Sequence, residues 1–459
     1  MTRQPLRELP GPAGLPFLGS MLDFLRRGIT ETFAAVRADH GDLARLRLPG
    51  GAVVVTVAHP DAVERILHHR RDNYLKGASY ASIRLITGTN LVTAEGAAWA
   101  WRRRLAQPAF TREGVVNYLP AIAECADAML DRWAAAFGRG QPFDLQRELT
   151  ALTMQIVGRT LFGVDLIGEH AAASGRAFDE ALAIVHDRGA ATFALPLAIP
   201  TPANLRLRRA LATLHREVEA IIERAARDHQ GPPTLLRALL AARDPETGDA
   251  LSRAQLRDEV IMLYLAGHET TATLLTWTFW ALARAPEARE ALHAEIDALA
   301  EDQLRPSAEL FQRIPYARQV LHEVMRLHPP APLIPRSIVE DDDLCGFRAP
   351  GGAHVAVLIY HLHRHPDYWP EPLQFRPERF SPAAVAGHHK YAYLPFSLGP
   401  RTCIGNTFAL WESQLILAKI LRRFAVDLDP ERPLRIAAST VHRPAKGVIA
   451  ALRPRLGTS

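Results

Sequence analysis

Residues Ser252 to Ala285 constrain the fold more than any other stretch of this 459-residue chain. Ser252 and Gln255 form a capping-box pattern, and the run stops before Pro286. Its roughly 33 residues make a helix about 50 Å long. From Val260 to Trp280 the run is apolar nearly all round, so the helix belongs inside a core. Ala266-Gly267-His268-Glu269-Thr270-Thr271 breaks it midway. Glycine costs about 1 kcal/mol in a helix interior. A buried glutamate costs more unless it is paired or protonated. In the bland reading, the polar patch is satisfied by its own backbone, with threonine bonding back one turn and bending the helix. In the functional reading, the helix opens locally, a small ligand approaches its backbone, and an acid–alcohol pair relays protons. His268 reads as a structural polar residue.

The second constraining stretch is Phe396-Ser397-Leu398-Gly399-Pro400-Arg401-Thr402-Cys403-Ile404-Gly405. It places one cysteine on a glycine-punctuated turn. Ile404, Phe408, Trp411 and Leu415 follow at spacings of three and four, which is one face of a helix. Cys403 is therefore expected at a helix N-terminus, where N–H groups and the dipole favour a thiolate. Gly399 and Gly405 are expected to permit backbone conformations or close approaches that a Cβ would block. Arg401 adds positive charge nearby. A thiolate presented this way is a metal ligand or a nucleophile; a lone buried structural cysteine is the plainer alternative.

Three further clusters carry less information singly. Glu323-Val324-Met325-Arg326 puts an acid and a base on one helix face, and most such pairs are weak surface ion pairs. Trp369 to Phe380 reads Trp-Pro-Glu-Pro-Leu-Gln-Phe-Arg-Pro-Glu-Arg-Phe. Trp99-Ala100-Trp101-Arg102-Arg103-Arg104 is basic and aromatic, and Arg102 and Arg104 read as a solvated helix face. Leu43–Leu48 and Ala52–Val57 flank Pro49-Gly50-Gly51, a hairpin signal. Asp61–His69 reads as a short helix. Tyr74–Asn90 reads as a loop with at most one helical turn. Tyr118–Asp228 is mostly helical, broken near Ala190–Pro202 by the apolar, proline-rich Ala194–Pro200, for which a buried connection is one reading.

Composition narrows the class. Hydrophobic residues make up 48% of the chain, enough for a large core. The net charge of +5 comes without a long Lys/Arg block, so nucleic-acid binding has little support and an acidic protein partner fits better. Three cysteines, Cys125, Cys345 and Cys403, give no disulfide framework, and a reducing cytoplasm is expected. The proline-rich start has no signal-peptide core, and no stretch approaches about 18 uninterrupted apolar residues. No membrane anchor is expected.

Together these stretches resemble the signatures of the cytochrome P450 superfamily, the haem-thiolate monooxygenases. Five motifs stand in that family's order from Trp99 to Gly405, after the lead Pro10-Gly11-Pro12. The resemblance implies a mainly α fold with a smaller β-rich lobe (α+β), one domain over residues 1–459 with no fused reductase module, and haem between the long central helix and the cysteine-bearing loop. It makes Cys403 the axial ligand of the haem iron in haem b, within a loop that includes Phe396 and Gly405. Such a thiolate pushes electron density onto iron and favours O–O cleavage. Ala266 and Gly267 belong to the oxygen-binding motif; Thr270 steadies activated oxygen and Glu269 supplies protons. Trp99, Arg103, Arg336 and Arg401 bind haem propionates, for which a guanidinium is suited. Glu323, Arg326 and Arg379 form a buried structural triad that locks the loop before the cysteine. Ala194–Pro200 becomes a mobile loop over the substrate entrance.

The implied reaction inserts one atom of O2 into a lipophilic small molecule such as a fatty acid, terpenoid or steroid. Electrons come from NAD(P)H through a ferredoxin or flavodoxin and its reductase, docking on charges such as Arg102, Arg104 and Lys390. Tyr80, Ile83, Phe193, Leu263, Leu333, Ile334 and Val441 are the pocket candidates, and the protein is expected to be a monomer. Two other readings are a haem-thiolate peroxygenase or isomerase that does not use O2, and a non-enzymatic haem sensor. The first commonly lacks the acid–alcohol pair present here as Glu269 and Thr270, and the second usually carries an output module.

Overall fold

The computed structural model describes residues 6–166, 169–190, 196–227, 233–243, 248–437 and 441–455. They form two compact units, each assembled from separate parts of the chain.

The first unit comprises Met1–Ala81, Glu323–Cys403 and Ile436–Arg443 and holds the β-rich part. Its main sheet has five strands, in the order Leu43–Arg47, Val53–Val57, His354–Val357, Ile334–Ile338 and Tyr74–Leu75. The first two strands form the hairpin expected from sequence, pairing antiparallel from Leu43↔Val57 to Arg47↔Val53. Its connection needs glycine: Gly50 and Gly51 have φ of 77° and 83°. Val53–Val57 then pairs in parallel with His354–Val357. Leu46, Val55, Val57 and Val357 are fully buried. The helix expected over Asp61–His69 begins at Pro60 and widens into a π-turn over Arg65–His69.

The second unit comprises Ser82–His322, Ile404–Arg435 and Pro444–Ser459 and is mainly helical. The long helix runs Arg253–Arg284, and Ser252 and Gln255 cap each other's backbone as the capping-box pattern requires. It packs extensively on the helix Leu145–Val157. The helices Glu169–Ala190 and Pro202–Arg227 pack on each other through Phe178, Ile184, Leu207 and Leu214. A small sheet joins Phe424–Leu428, Ile449–Pro454 and Phe143–Asp144.

Two expectations are corrected. Tyr74–Asn90 is not a loop: it contains the strand Tyr74–Leu75, a 3-10 turn and the helix Ala81–Thr87. Seven residues are too few for a periodic signal, and an isolated helix that short is unstable. Burial stabilises this one, since Ile86 is 2% exposed and joins the cluster of the two packed helices. The apolar connection is also not buried where it is described. Pro196, Ala198, Ile199 and Pro200 are exposed, while the buried Asn204 amide donates to the carbonyls of Pro196 and Ile199 at 3.0 and 2.9 Å. Phe193, Ala194 and Leu195 lie outside the described residues.

No described helix is long and apolar enough to cross a membrane.

Candidate active site

The candidate site residues divide between the two units, and each set has its own local logic. In the first unit the cysteine loop is held by its own backbone. The Cys403 amide donates to the Phe396 carbonyl at 2.8 Å, and the Thr402 amide donates to the Gly399 carbonyl at 3.1 Å. Gly399 has φ 75°, and a Cβ there would lie 2.3 Å from the Leu67 carbonyl oxygen in the π-turn. Both its conformation and its neighbour therefore demand glycine. Gly405 is different: its φ is −88°, and a Cβ would make only ordinary contact with Phe110 at 3.8 Å. The Cys403 side chain is exposed and not in a disulfide. The following helix is Asn406–Arg423, so Cys403 stands two residues ahead of the N-cap Gly405 rather than in the first turn. Phe408 of that helix meets the Phe110 and Tyr118 rings edge-on, and Trp411 stacks on Phe311.

The structure brings Glu323, Arg326 and Arg379 together. Glu323 and Arg326 are fully buried on the helix Pro315–Leu327 and pair bidentately, with Nε–Oε2 2.7 Å and Nη2–Oε1 2.8 Å. Arg379 Nε stands 3.5 Å from Glu323. All five N–H groups of Arg326 are engaged, since the rest donate to the carbonyls of His363, Pro372 and Gln374. The Arg376 amide completes the Glu323 carboxylate at 2.8 Å, and Arg379 Nη2 donates to the Glu371 carbonyl. The pair thus fixes the backbone of the segment Glu371–Arg376.

His363, which sequence reasoning passed over, extends that lattice. Its Nε2 accepts from the Leu394 amide at 2.7 Å and its Nδ1 lies 3.3 Å from the Met325 carbonyl. Of the remaining candidates in this unit, Arg336 and Ile334 are buried on the strand Ile334–Ile338. Arg336 Nη1 donates to the Pro335 carbonyl. Leu333, Val441 and Arg401 are half-buried. Tyr80 is half-buried beneath the Lys76 ammonium, 4.4 Å from its ring.

In the second unit the long helix carries Leu263, Ala266, Gly267 and Thr270 along one face. Ala266 is exposed and the other three half-buried, on a helix whose residues from Thr271 to Phe279 are all buried. Thr270 Oγ1 donates to the Ala266 carbonyl at 2.8 Å. The back-bond that the bland reading anticipated is therefore present. Gly267 has a packing reason beyond any ligand, since a Cβ there would lie 2.6 Å from Val157 Cγ2 of the neighbouring helix. Thr153 of that helix donates to the His268 carbonyl at 2.9 Å. The His268 ring is buried, with Nδ1 2.5 Å from the Tyr264 carbonyl. Glu269 is half-buried. Ile83 is half-buried on the helix Ala81–Thr87; Trp99 and Arg103 are half-buried on Gly96–Ala106, and Arg103 Nε donates to Gln107 at 2.9 Å.

Arg102 is a correction. It is 5% exposed, not a solvated face, and its Nε donates to Glu259 Oε1 at 2.7 Å. Arg104 and Lys390 are exposed as expected. Glu412 was also missed. Its carboxyl is fully buried, and burial raises its pKa well above the carboxylate range against the lowering effect of the Thr271 hydroxyl. Nothing in the local pattern distinguishes Arg102 or Glu412 from surface residues of an amphipathic helix.

The family model for cytochrome P450 matches residues 9–449. Cyclooctatin synthase of Streptomyces melanosporofaciens is 34% identical over 94% of this chain and 92% of its own length. Pentalenene oxygenase of Streptomyces avermitilis is 32% identical over 95% of each. Among solved structures, the cytochrome P450DA heme domain superposes with a TM-score of 0.86 at 26% identity, covering 98% of this chain and 99% of that one. Retinoic acid bound cyanobacterial CYP120A1 gives 0.84 at 28%, covering 98% and 100%. The chain belongs to the cytochrome P450 family, with its haem-thiolate cofactor, and is a monooxygenase.

Proposed function

We propose that this enzyme hydroxylates a terpenoid, with haem b as its cofactor and a ferredoxin or flavodoxin as electron donor. The observation that carries the thiolate assignment is the exposed Cys403 on a loop whose backbone is fixed by Phe396 and Gly399. The donor set fits the group: a soft thiolate suits iron, and the guanidinium groups of Arg103, Arg336 and Arg401, like the indole N–H of Trp99, suit the haem carboxylates. Bound haem supplies the oxygen chemistry, with two electrons from NAD(P)H.

The chain's own residues do the rest. Thr270 commits its one hydrogen to the Ala266 carbonyl. Its oxygen lone pairs remain to accept from a ligand, so its role is to orient a protonated group rather than to give up a proton. Glu269, next in the chain, is the group we assign to proton supply. Leu263 and Ala266 offer an apolar wall that keeps water from the reacting carbon. Tyr80, Ile83, Leu333, Ile334 and Val441 complete our assignment of the substrate-pocket residues, which are apolar apart from the Tyr80 hydroxyl and include no charged side chain. That favours a hydrocarbon skeleton over a fatty acid carboxylate. Two relatives named for cyclooctatin and pentalenene support a polycyclic terpenoid.

The test is a spectral titration of the haem-loaded enzyme with cyclic terpenes and fatty acids, read as conversion of the iron from low to high spin. Terpene-selective conversion with oxygenated product is expected. Conversion by fatty acids alone would reject the substrate class. A Cys403→Ser variant that keeps the wild-type ferrous–CO spectrum would reject the thiolate assignment.

A further inference from the structure

We propose that Glu259 and Asp258, at the head of the long helix, are positioning residues for substrate recognition. They hold the turn after the helix Ala81–Thr87 and thereby set where that helix presents Ile83. The inference rests on the monooxygenase reading above, which places Ile83 at the pocket.

The two carboxylates hold amides two residues apart in one turn. Asp258 Oδ2 accepts from the Thr89 amide at 3.0 Å. Glu259 Oε2 accepts from the Leu91 amide at 3.0 Å, while its other oxygen takes Arg102 Nε at 2.7 Å. One buried glutamate therefore ties the turn to the helix Gly96–Ala106 as well as to its own helix. Glu259 is 4% exposed and Arg102 5%. A buried ion pair is weak evidence for stability, because desolvation offsets the attraction. Its presence calls for another reason, and fixing one arrangement of the chain is such a reason.

The turn is built to be gripped. Gly88 has φ 63°, and a Cβ there would lie 2.0 Å from Asp258 Oδ2. Asn90 Oδ1 accepts from the Val92 and Thr93 amides, and its amide group donates to the Thr87 carbonyl. Arg84 Nη2 donates to the Thr93 carbonyl at 3.0 Å, joining the preceding helix to the turn. Ile86 anchors that helix in the apolar cluster, and Ile83 lies one turn earlier on it. A shift of the turn therefore becomes a shift of Ile83.

The grip should loosen with acid. Burial pushes Glu259 up to about 7, opposed by the Leu91 amide and by Arg102. The charged groups around the carboxylates are Arg102 on the helix Gly96–Ala106, Arg257 on the long helix, and His215 and Glu219 on Pro202–Arg227. Burial and Arg257 lower His215 from its ordinary value.

The experiment uses the haem-loaded enzyme and two neutral, non-titrating iron ligands, methyl and cyclohexyl isocyanide. The paired substitution Arg102→Met with Glu259→Met removes both charges while keeping side-chain volume. Gly88→Ala, as a second variant, forces the turn off Asp258 without touching the pair. In each, methyl isocyanide affinity should stay near wild type while cyclohexyl isocyanide affinity changes by about tenfold, the weight of one hydrogen bond to a charged acceptor. Exchange of the Leu91 amide with solvent should quicken at least about tenfold in the paired variant. In the wild type the bulky-to-small affinity ratio should change between pH 8 and 6, and in the paired variant it should be flat. An unchanged ratio in both variants, or a pH dependence that survives the paired substitution, overturns the proposal. A wild type that takes up no haem overturns instead the monooxygenase reading on which it rests.

Discussion

The Leu394 amide donates to His363 Nε2 at 2.7 Å, which fixes the protonation state of a fully buried imidazole. Nε2 is an acceptor, so the ring proton sits on Nδ1 and points to the Met325 carbonyl. A second proton would displace the Leu394 amide.

Acid should therefore unfold this protein early. Burial lowers His363 to about 3 and His361, His442 and His322 to about 4, and it holds His328 well below 6.5. The unfolded chain binds those protons below 6.5 and the folded chain does not, so stability rises with pH from about 4 to 6.5. Glu259 and Glu412, whose pKa values are raised, act oppositely over that range. His215, His293 and His388 are lowered as well and Asp258 and Glu295 raised, so the affected histidines outnumber the affected carboxylates and unfolding takes up protons on balance. Urea unfolding at stepped pH measures this directly; a flat profile from pH 4 to 6.5 would contradict it.

Thr270→Ala should leave haem content and substrate binding near wild type while wasting electrons. Product per NAD(P)H should fall by about tenfold or more, with hydrogen peroxide taking the difference. Thr270→Ser keeps the hydroxyl and should restore most of the coupling. Glu269→Gln should slow turnover, because proton supply is impaired. Wild-type coupling in Thr270→Ala would remove Thr270 from its assigned role.

Glu323→Gln should cost about 3–5 kcal/mol, since it leaves the buried Arg326 charge unpaired. The expected readout is a lower Tm together with reduced haem retention, because Arg326 holds the carbonyls of Pro372 and Gln374 ahead of the cysteine loop. A variant with wild-type Tm would show that the pair adds nothing to the folded state.

Electron delivery should depend on Arg104 and Lys390 and not on Arg102. Charge complementarity acts on association rate and is screened by salt. Arg104→Glu and Lys390→Glu should slow first-electron transfer from an acidic ferredoxin, more at low than at high ionic strength. Arg102→Glu should instead lower Tm, by placing like charge against the buried Glu259. A rate independent of salt in the wild type would rule out steering by these residues.

The parts of the fold that sequence disclosed are those with local causes. The capping box at Ser252 and the alternation around Pro49-Gly50-Gly51 act within a few residues, so pattern alone located the long helix and the hairpin. The loop Phe396–Gly405 was legible because its residue types have chemical reasons. What stayed hidden depends on distant neighbours. Arg102 looks like a surface residue until Glu259, 157 positions away, is placed beside it. The helix Ala81–Thr87 is too short to announce itself and exists because Ile86 is buried by two other helices. Gly267 suggested a ligand, and Val157 supplies a packing reason that only the helix pairing could reveal.

Gly399 and Gly405 differ in how much change they can absorb. At Gly399 every L-residue meets both an unfavourable backbone conformation and the Leu67 carbonyl, so even alanine must rebuild the π-turn beneath the loop. Gly405 sits at an ordinary φ with room for a methyl group against Phe110. In a saturation library scored for folded protein, the first position should return glycine alone and the second a spread of small residues. Any restriction at Gly405 that emerges only when the library is scored for cofactor uptake would then report on the cofactor rather than on the fold.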